Sequence, residues 1–180
     1  MLVLGQRRAG GGGQQPGDLV PAAIRRSRQE LVELYDAVGW TTYTTDPDVL
    51  VAAVEGSTRV VTARYGEDLL GLARVLSDGA SIAYLQDVLV RPELQREGVG
   101  RQLVQAALEP FAHVRQKVLL TDDEPRQRAF YESLGYTELR EYGDGALRAF
   151  VRFEGLAAAA ARQEGQDASG RPGGTDPVHV

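Results

Sequence analysis

The 180-residue chain contains no cysteine, two histidines, one methionine and one tryptophan. Without cysteine there can be no disulfide, thiol nucleophile or thiolate metal site, so any chemistry rests on oxygen and nitrogen groups. The two histidines, His113 and His179, are far apart in sequence and argue against a histidine-rich centre, so no metal is expected. An excess of basic charge is also lacking. With 20 Lys and Arg against 25 Asp and Glu, the net charge of −5 gives no electrostatic footing for nucleic acid and mildly favours the approach of a cationic amine. No stretch approaches the roughly 20 apolar residues of a membrane span, and Met1-Leu2-Val3-Leu4 is too short for a signal-peptide core. The expectation is a soluble cytoplasmic protein with neither a nucleic-acid nor a membrane partner.

A hydrophobic content of 43% suffices for one sizeable core. Residues 1–18 include Gly10-Gly11-Gly12-Gly13-Gln14-Gln15-Pro16-Gly17 and read as a disordered glycine-rich tail. Residues 155–180, rich in Ala, Gly and Pro, read as a second flexible tail, which leaves one domain over 19–154. Within it, Ser27-Arg28-Gln29-Glu30 has the form of a capping box, followed by Leu31, Leu34, Tyr35 and Val38 on one helical face. Asp46-Pro47 opens a second helix to about Val54. Arg59 to Tyr65 and Leu69 to Ser77 form a predicted hairpin around Gly66-Glu67-Asp68, and Asp78-Gly79 turns the chain into a strand over Ser81 to Val90. A strand over Val114 to Thr121 and a helix over Pro125 to Leu134 follow, and Tyr136 to Glu141 with Ala146 to Phe153 is expected to close the sheet. The order specifies an α/β fold with a mixed sheet and helices on its faces.

The run from Val88 to Arg101 passes from an apolar strand through Pro92 into a helix marked by Leu103, Val104, Ala107 and Leu108. The helix should begin near Gly98. Its first backbone N–H groups lack internal partners and lie at the positive end of the peptide dipole, which suits an anion. Gly98 and Gly100 let a diphosphate approach the backbone closely, and Gln95, Arg96 and Arg101 can add side-chain donors. Neither a G-x-x-x-x-G-K-[ST] loop nor the third glycine of a dinucleotide fingerprint is present.

Gln95-Arg96-Glu97-Gly98-Val99-Gly100 resembles the Q/R-x-x-G-x-G/A acetyl-coenzyme A motif of the GNAT N-acetyltransferases, and Asp87-Val88-Leu89-Val90-Arg91-Pro92 resembles the strand before it. Downstream, Glu124 to Tyr136 is similar to the family's N-P-x-x-x-x-x-Y-E-x-x-G-F segment, with Glu124 standing where asparagine is frequent. The resemblance spans about Ile24 to Phe153 and implies a mostly antiparallel central sheet with helices on both faces. It also implies acetyl-CoA as co-substrate. Backbone groups of Val88, Leu89 and Val90 would hold the acetyl and pantetheine arm, and Gln95, Arg96, Gly98, Val99, Gly100 and Arg101 the pyrophosphate. Tyr131 occupies the position of the general acid, and Asp87 on the acetyl-binding strand is a candidate base, with Asp122, Glu124 or water as alternatives. Trp40, Tyr43 and Tyr84 are candidates for the acceptor pocket, as well as for ordinary core filling.

The implied reaction is direct attack of a primary amine on acetyl-CoA in a ternary complex. Leu31 to Trp40, Gly71-Leu72-Ala73-Arg74 and the Asp87 strand also resemble the branch that includes plant-type serotonin acetyltransferases, which points to an arylalkylamine. Polyamines and protein lysines or N-termini are the other acceptor classes. Two competing readings are a CoA-binding regulatory or sensor module without efficient turnover and a phosphate-binding structural domain. Edge strands such as Ala146 to Phe153 need pairing or cover, which a homodimer would supply.

Overall fold

The computed structural model describes residues 3–8 and 20–152, with side chains from Arg28 onward. The chain divides after Leu120 into two compact units.

The first unit is built on a five-stranded sheet in the order β1 (Val3–Arg8), β2 (Arg59–Tyr65), β3 (Asp68–Ser77), β4 (Ile82–Val90), β5 (Gln116–Val118). The first three pairings are antiparallel, and β4 with β5 is parallel. The hairpin joining β2 and β3 and the entry into β4 agree with the sequence reading. Strand β1 does not, because Val3–Arg8 pairs residue for residue with Arg64 back to Arg59 where a disordered tail was expected. The glycine run after it lies outside the described residues.

Helix α1 (Val20–Ala37) begins seven residues before Ser27, so the Ser27–Glu30 capping pattern lies inside the helix. Pro21 is tolerated in the first turn, where its missing N–H has no intrahelical partner to lose, and the alanines after it favour continuation. A short helix, α2 (Thr41–Thr44), precedes α3 (Pro47–Glu55). Asp46 caps α3 as expected, its carboxylate accepting from the Asp48 and Val49 amides at 3.1 and 3.2 Å.

Helix α4 (Val99–Leu108) and helix α1 take opposite faces of the sheet. A side chain at Gly71 would meet Leu103 of α4 at 3.0 Å and the Leu89 carbonyl at 2.7 Å, so glycine lets α4 sit against β3. The next residue, Leu72, points the other way, into a buried cluster with Leu31, Leu34, Tyr35, Leu50, Leu69 and Leu89. The end of α4 is tied down by Arg59 of β2, whose Nε and Nη2 donate to the Ala106 carbonyl at 3.1 and 2.8 Å. A buried cation there also complements the helix dipole. Strand β5 spans three residues, shorter than the predicted Val114 to Thr121.

The second unit contains α5 (Pro125–Glu132) and a set of turns. No strand follows Val118 among the described residues, which corrects the expected strands over Tyr136 to Glu141 and Ala146 onward. Two local causes are visible. Arg128 binds Glu132, Glu138 and Glu141 at 2.8, 3.0 and 2.6 Å, drawing residues 138–141 into a turn against α5. Gly143, Asp144 and Gly145 then hold φ of +56°, +55° and +78°, which no strand can accommodate.

Candidate functional site

Strand β4 has an open side. Its pairing with β5 is confined to Ile82, Ala83 and Tyr84, while β4 itself runs on to Val90. Beyond Tyr84 the β5-facing edge of β4 therefore carries backbone amide groups with no strand partner among the described residues. Such an edge can accept an extended, amide-bearing molecule by strand-like hydrogen bonding.

The register along the opposite side is broken at one residue. Ala73 pairs with Val88 and Arg74 with Gln86, so Asp87 is a bulge, and its φ is +50°. The Asp87 side chain turns inward and is 5% exposed. Oδ2 accepts from the Tyr35 hydroxyl at 2.6 Å and from Arg74 Nε, and Oδ1 accepts from Gln86 Nε2 at 2.8 Å. Arg74 is itself buried, and its Nη1 donates to the Ala53 carbonyl and to Ser57 Oγ at 3.2 and 3.3 Å. Asp87, expected as a base, is thus a buried acceptor engaged with three donors. Burial first, and then the negative charge of Asp87, hold the Tyr35 hydroxyl far above its ordinary range, so it stays a donor.

Arg74 and Tyr35 carry no site role in the sequence reading. The available signal was a lone arginine in the apolar run Leu69 to Leu76 and a lone aspartate in Ile82 to Val90, since a charge in a buried strand needs a partner.

At the end of β4 the Arg91 amide donates to the Leu70 carbonyl and its Nε to Leu69, both at 2.9 Å, which fixes the exit of the strand. A turn over Pro92–Leu94 leads to Arg96 and Gly98, with φ of +69° and +81°. Gly98 is the cap of α4, with no side chain capping the helix. A Cβ at Gly98 would meet nothing within 4 Å, so glycine answers the backbone angle there and leaves space outside the turn open. Val99 is buried and anchors the first turn, while Gln95, Arg96 and Arg101 are exposed. Gln95, expected to reach an anion, is exposed and donates Nε2 to the Val90 carbonyl at 3.2 Å. The turn combines helix-start amides, two left-handed residues and exposed arginines, groups of the kind that suit an anion.

The three aromatic candidates fall on the α1 side of the unit. Trp40 and Tyr43 stack at 5.6 Å, and both touch Tyr35, at 6.1 and 5.6 Å. Burial, followed by the charge of Asp87, raises the pKa of Tyr43 and of Tyr84. Tyr35 links this aromatic group to the buried carboxylate, and the charge of Asp87 reaches Tyr43 and Tyr84 as well. His113 is exposed and lies 2.9 Å from the Gly79 carbonyl, apart from this network.

In the second unit, Tyr131 lies on α5 between Phe130 and Tyr136, at 5.0 Å from the former ring and 6.0 Å from the latter. Its hydroxyl pKa is pushed up to about 12, chiefly by burial and secondarily by Tyr136. It is protonated at neutral pH. Asp122 is half-buried and Glu124 exposed just before the helix. Among the described residues, no group of three or more His, Asp or Glu is placed to hold a metal ion, and no helix is long and apolar enough to cross a membrane.

A family model described as an acetyltransferase (GNAT) domain matches residues 34–153. A Gibberella zeae protein provisionally named an acetyltransferase is 38% identical over 76 residues, covering 41% of this chain and 42% of that protein. An uncharacterized N-acetyltransferase of Pyropia yezoensis is 26% identical over 111 residues, covering 59% and 63%. The chain thus spans less than two thirds of the length of either relative. Among solved structures, a GNAT-family acetyltransferase from Streptococcus pneumoniae superposes with a TM-score of 0.66 at 26% identity, covering 86% of this chain and 99% of that one. An aminoglycoside N-acetyltransferase in complex with CoA shares the fold, with a TM-score of 0.55 at 15% identity over 86% and 95%.

Proposed function

The chain belongs to the GNAT acetyltransferase family, and from that membership we propose that it transfers the acetyl group of acetyl-CoA to a primary amine by direct attack in a ternary complex. The observation that carries this reading is the continuity of two features on one segment. The open edge of β4 leads through the Arg91–Gln95 turn to the uncapped start of α4. An arm bearing amides and ending in a diphosphate needs that order of groups.

In this reading the backbone of Val88, Leu89 and Val90 holds the pantetheine arm and orients the thioester. The amides of Gly98, Val99, Gly100 and Arg101, with the Arg96 and Arg101 side chains, bind the diphosphate. Gln95, the remaining candidate donor to the anion, also supports the turn through Val90. The reaction forms a C–N bond to the amine and breaks the C–S bond, so one proton must leave the nitrogen and one must reach the sulfur. Tyr131 supplies the proton to the departing thiolate, a role drawn from its place in the second motif and served by a hydroxyl that is protonated at neutral pH. The amine loses its proton to water, because a proton on Asp87 would cost its ion pair with Arg74 and its bond from Tyr35.

The acceptor class we favour is an arylalkylamine, supported by Trp40, Tyr43 and Tyr84 near one another and by the likeness to the plant-type serotonin branch. The reading is tested by thiol release from acetyl-CoA with aryl amines, polyamines and lysine peptides. Release with an aryl amine in preference to the others is expected. Cofactor binding without release across the panel would replace this reading with a CoA-binding module.

A further inference from the structure

We propose that Tyr35 and Arg74 are positioning residues for the thioester end of acetyl-CoA, acting through Asp87, the bulge residue of β4. The proposal rests on the acetyl-transfer reading above. It begins from a backbone angle. Asp87 holds φ of +50° in the middle of a strand, where non-glycine residues rarely sit. Such a conformation persists only when its surroundings hold it in place.

The surroundings here come from three other elements. Tyr35 reaches Asp87 from α1, Arg74 reaches it from β3, and Arg74 is held in turn at the end of α3 by the Ala53 carbonyl and Ser57 Oγ. Ser57 Oγ also donates to the Ala53 carbonyl at 2.9 Å, which closes the set. Tyr35 is 0% exposed, Asp87 5% and Arg74 7%. Desolvating two charges is costly, and apolar replacements of buried ion pairs are commonly neutral or stabilising. Stability alone is therefore a weak reason for this arrangement. Conformational specification accounts for it better, because the carboxylate that receives the donors belongs to the one residue out of register.

The bulge occupies the place where such control has an effect. The last β4–β5 pair is at Tyr84, Asp87 follows three residues later, and Val88, Leu89 and Val90 complete the open edge. Upstream of Asp87 the strand is in one register with β3, and downstream in another. The bulge therefore sets which amide groups of Val88 to Val90 face the open edge and which face β3. Relaxing it would turn those groups while the α4 turn keeps its ties at Arg91 and Val99, the Gln95–Val90 bond being the one tie shared with the strand end.

The test compares two ligands and one property of the free protein. Tyr35→Phe removes one donor to Oδ2 while keeping the ring that packs on Trp40 and Tyr43. Arg74→Lys, the second variant, keeps the charge but loses the guanidinium fork. The full chain and each variant, checked for a cooperative melt, are titrated with acetyl-CoA and with adenosine 3′-phosphate 5′-diphosphate, which lacks the pantetheine arm. Hydrogen exchange is followed at Val88, Leu89 and Val90. In Tyr35→Phe the affinity for acetyl-CoA should fall about tenfold, that for the truncated nucleotide should hold, and the three amides should exchange faster. Arg74→Lys should act in the same direction. Unchanged acetyl-CoA affinity and unchanged exchange in whichever variant folds would overturn the proposal, as would equal weakening of both ligands. If the unaltered protein binds neither ligand, the acetyl-transfer reading fails first, a result distinct from variants that match a binding wild type.

Discussion

Residues 28–120 and 121–152 are held by different forces. Every buried apolar side chain among the described residues lies between Leu31 and Val114, packed between the sheet and the helices on its two faces. Beyond Thr121 the described side chains are half-buried or exposed, and the ties include the ion pairs of Arg128 with Glu132, Glu138 and Glu141 beside the ring contacts of Tyr131 with Phe130 and Tyr136. Burial of packed apolar surface is not screened by salt, whereas exposed ion pairs each contribute little and weaken as ionic strength rises. The proposed chemistry divides along the same boundary, with cofactor binding on the packed sheet and the proton donor Tyr131 in the ion-paired region.

The largest expected effect falls on the packed region. Arg74→Met leaves the Asp87 carboxylate buried with its cationic partner gone, at a cost of about 3–5 kcal/mol, read as a fall in the denaturant midpoint. A loss below about 1 kcal/mol would mean that the pair is not buried as described. Next is Gly100→Glu, which sets bulk and negative charge at the start of α4. We expect acetyl-CoA affinity to fall about 100-fold, a few kcal/mol of repulsion, with the melting transition nearly unchanged; retained affinity would remove the diphosphate from that turn.

Tyr131→Phe sharpens the division of labour. It should lower kcat about 100-fold while the Kd for acetyl-CoA stays within about twofold. Equal turnover at saturating substrate would take Tyr131 out of the reaction. The smallest effect is expected from Arg128→Ala, which should change global stability by less than about 1 kcal/mol yet quicken amide exchange over residues 136–145. Slow exchange there in the variant would show that something other than the ion pairs shapes that turn.

The features legible in sequence were those written in short-range chemistry. Asp46-Pro47 set the start of α3, Gly66 and Asp78-Gly79 marked turns, and the change of period across Val88 to Gly100 placed the start of α4. The misread features depended on distant partners. Val3–Arg8 is a strand only because β2 offers an edge for it, and nothing in six residues before a glycine run announces that edge. Residues 146–152 are mostly apolar, Ala-Leu-Arg-Ala-Phe-Val-Arg, which suggests a strand, but the left-handed turn at Gly143–Gly145 and the pull of Arg128 give the chain another course. Asp87 and Arg74 stand 13 residues apart on neighbouring strands, and only the bulge brings the carboxylate to face the guanidinium. The segment proposed for the cofactor stands out in the sequence because its pattern is local, and the network beneath it was hidden because it is tertiary.

The central claim is that the β4 edge and the α4 turn form one cofactor site, and calorimetric titration of the purified protein with acetyl-CoA tests it most directly. Saturable one-to-one binding is expected, weakened about 100-fold in Gly100→Glu. No heat of binding at acetyl-CoA concentrations up to about 1 mM would contradict it.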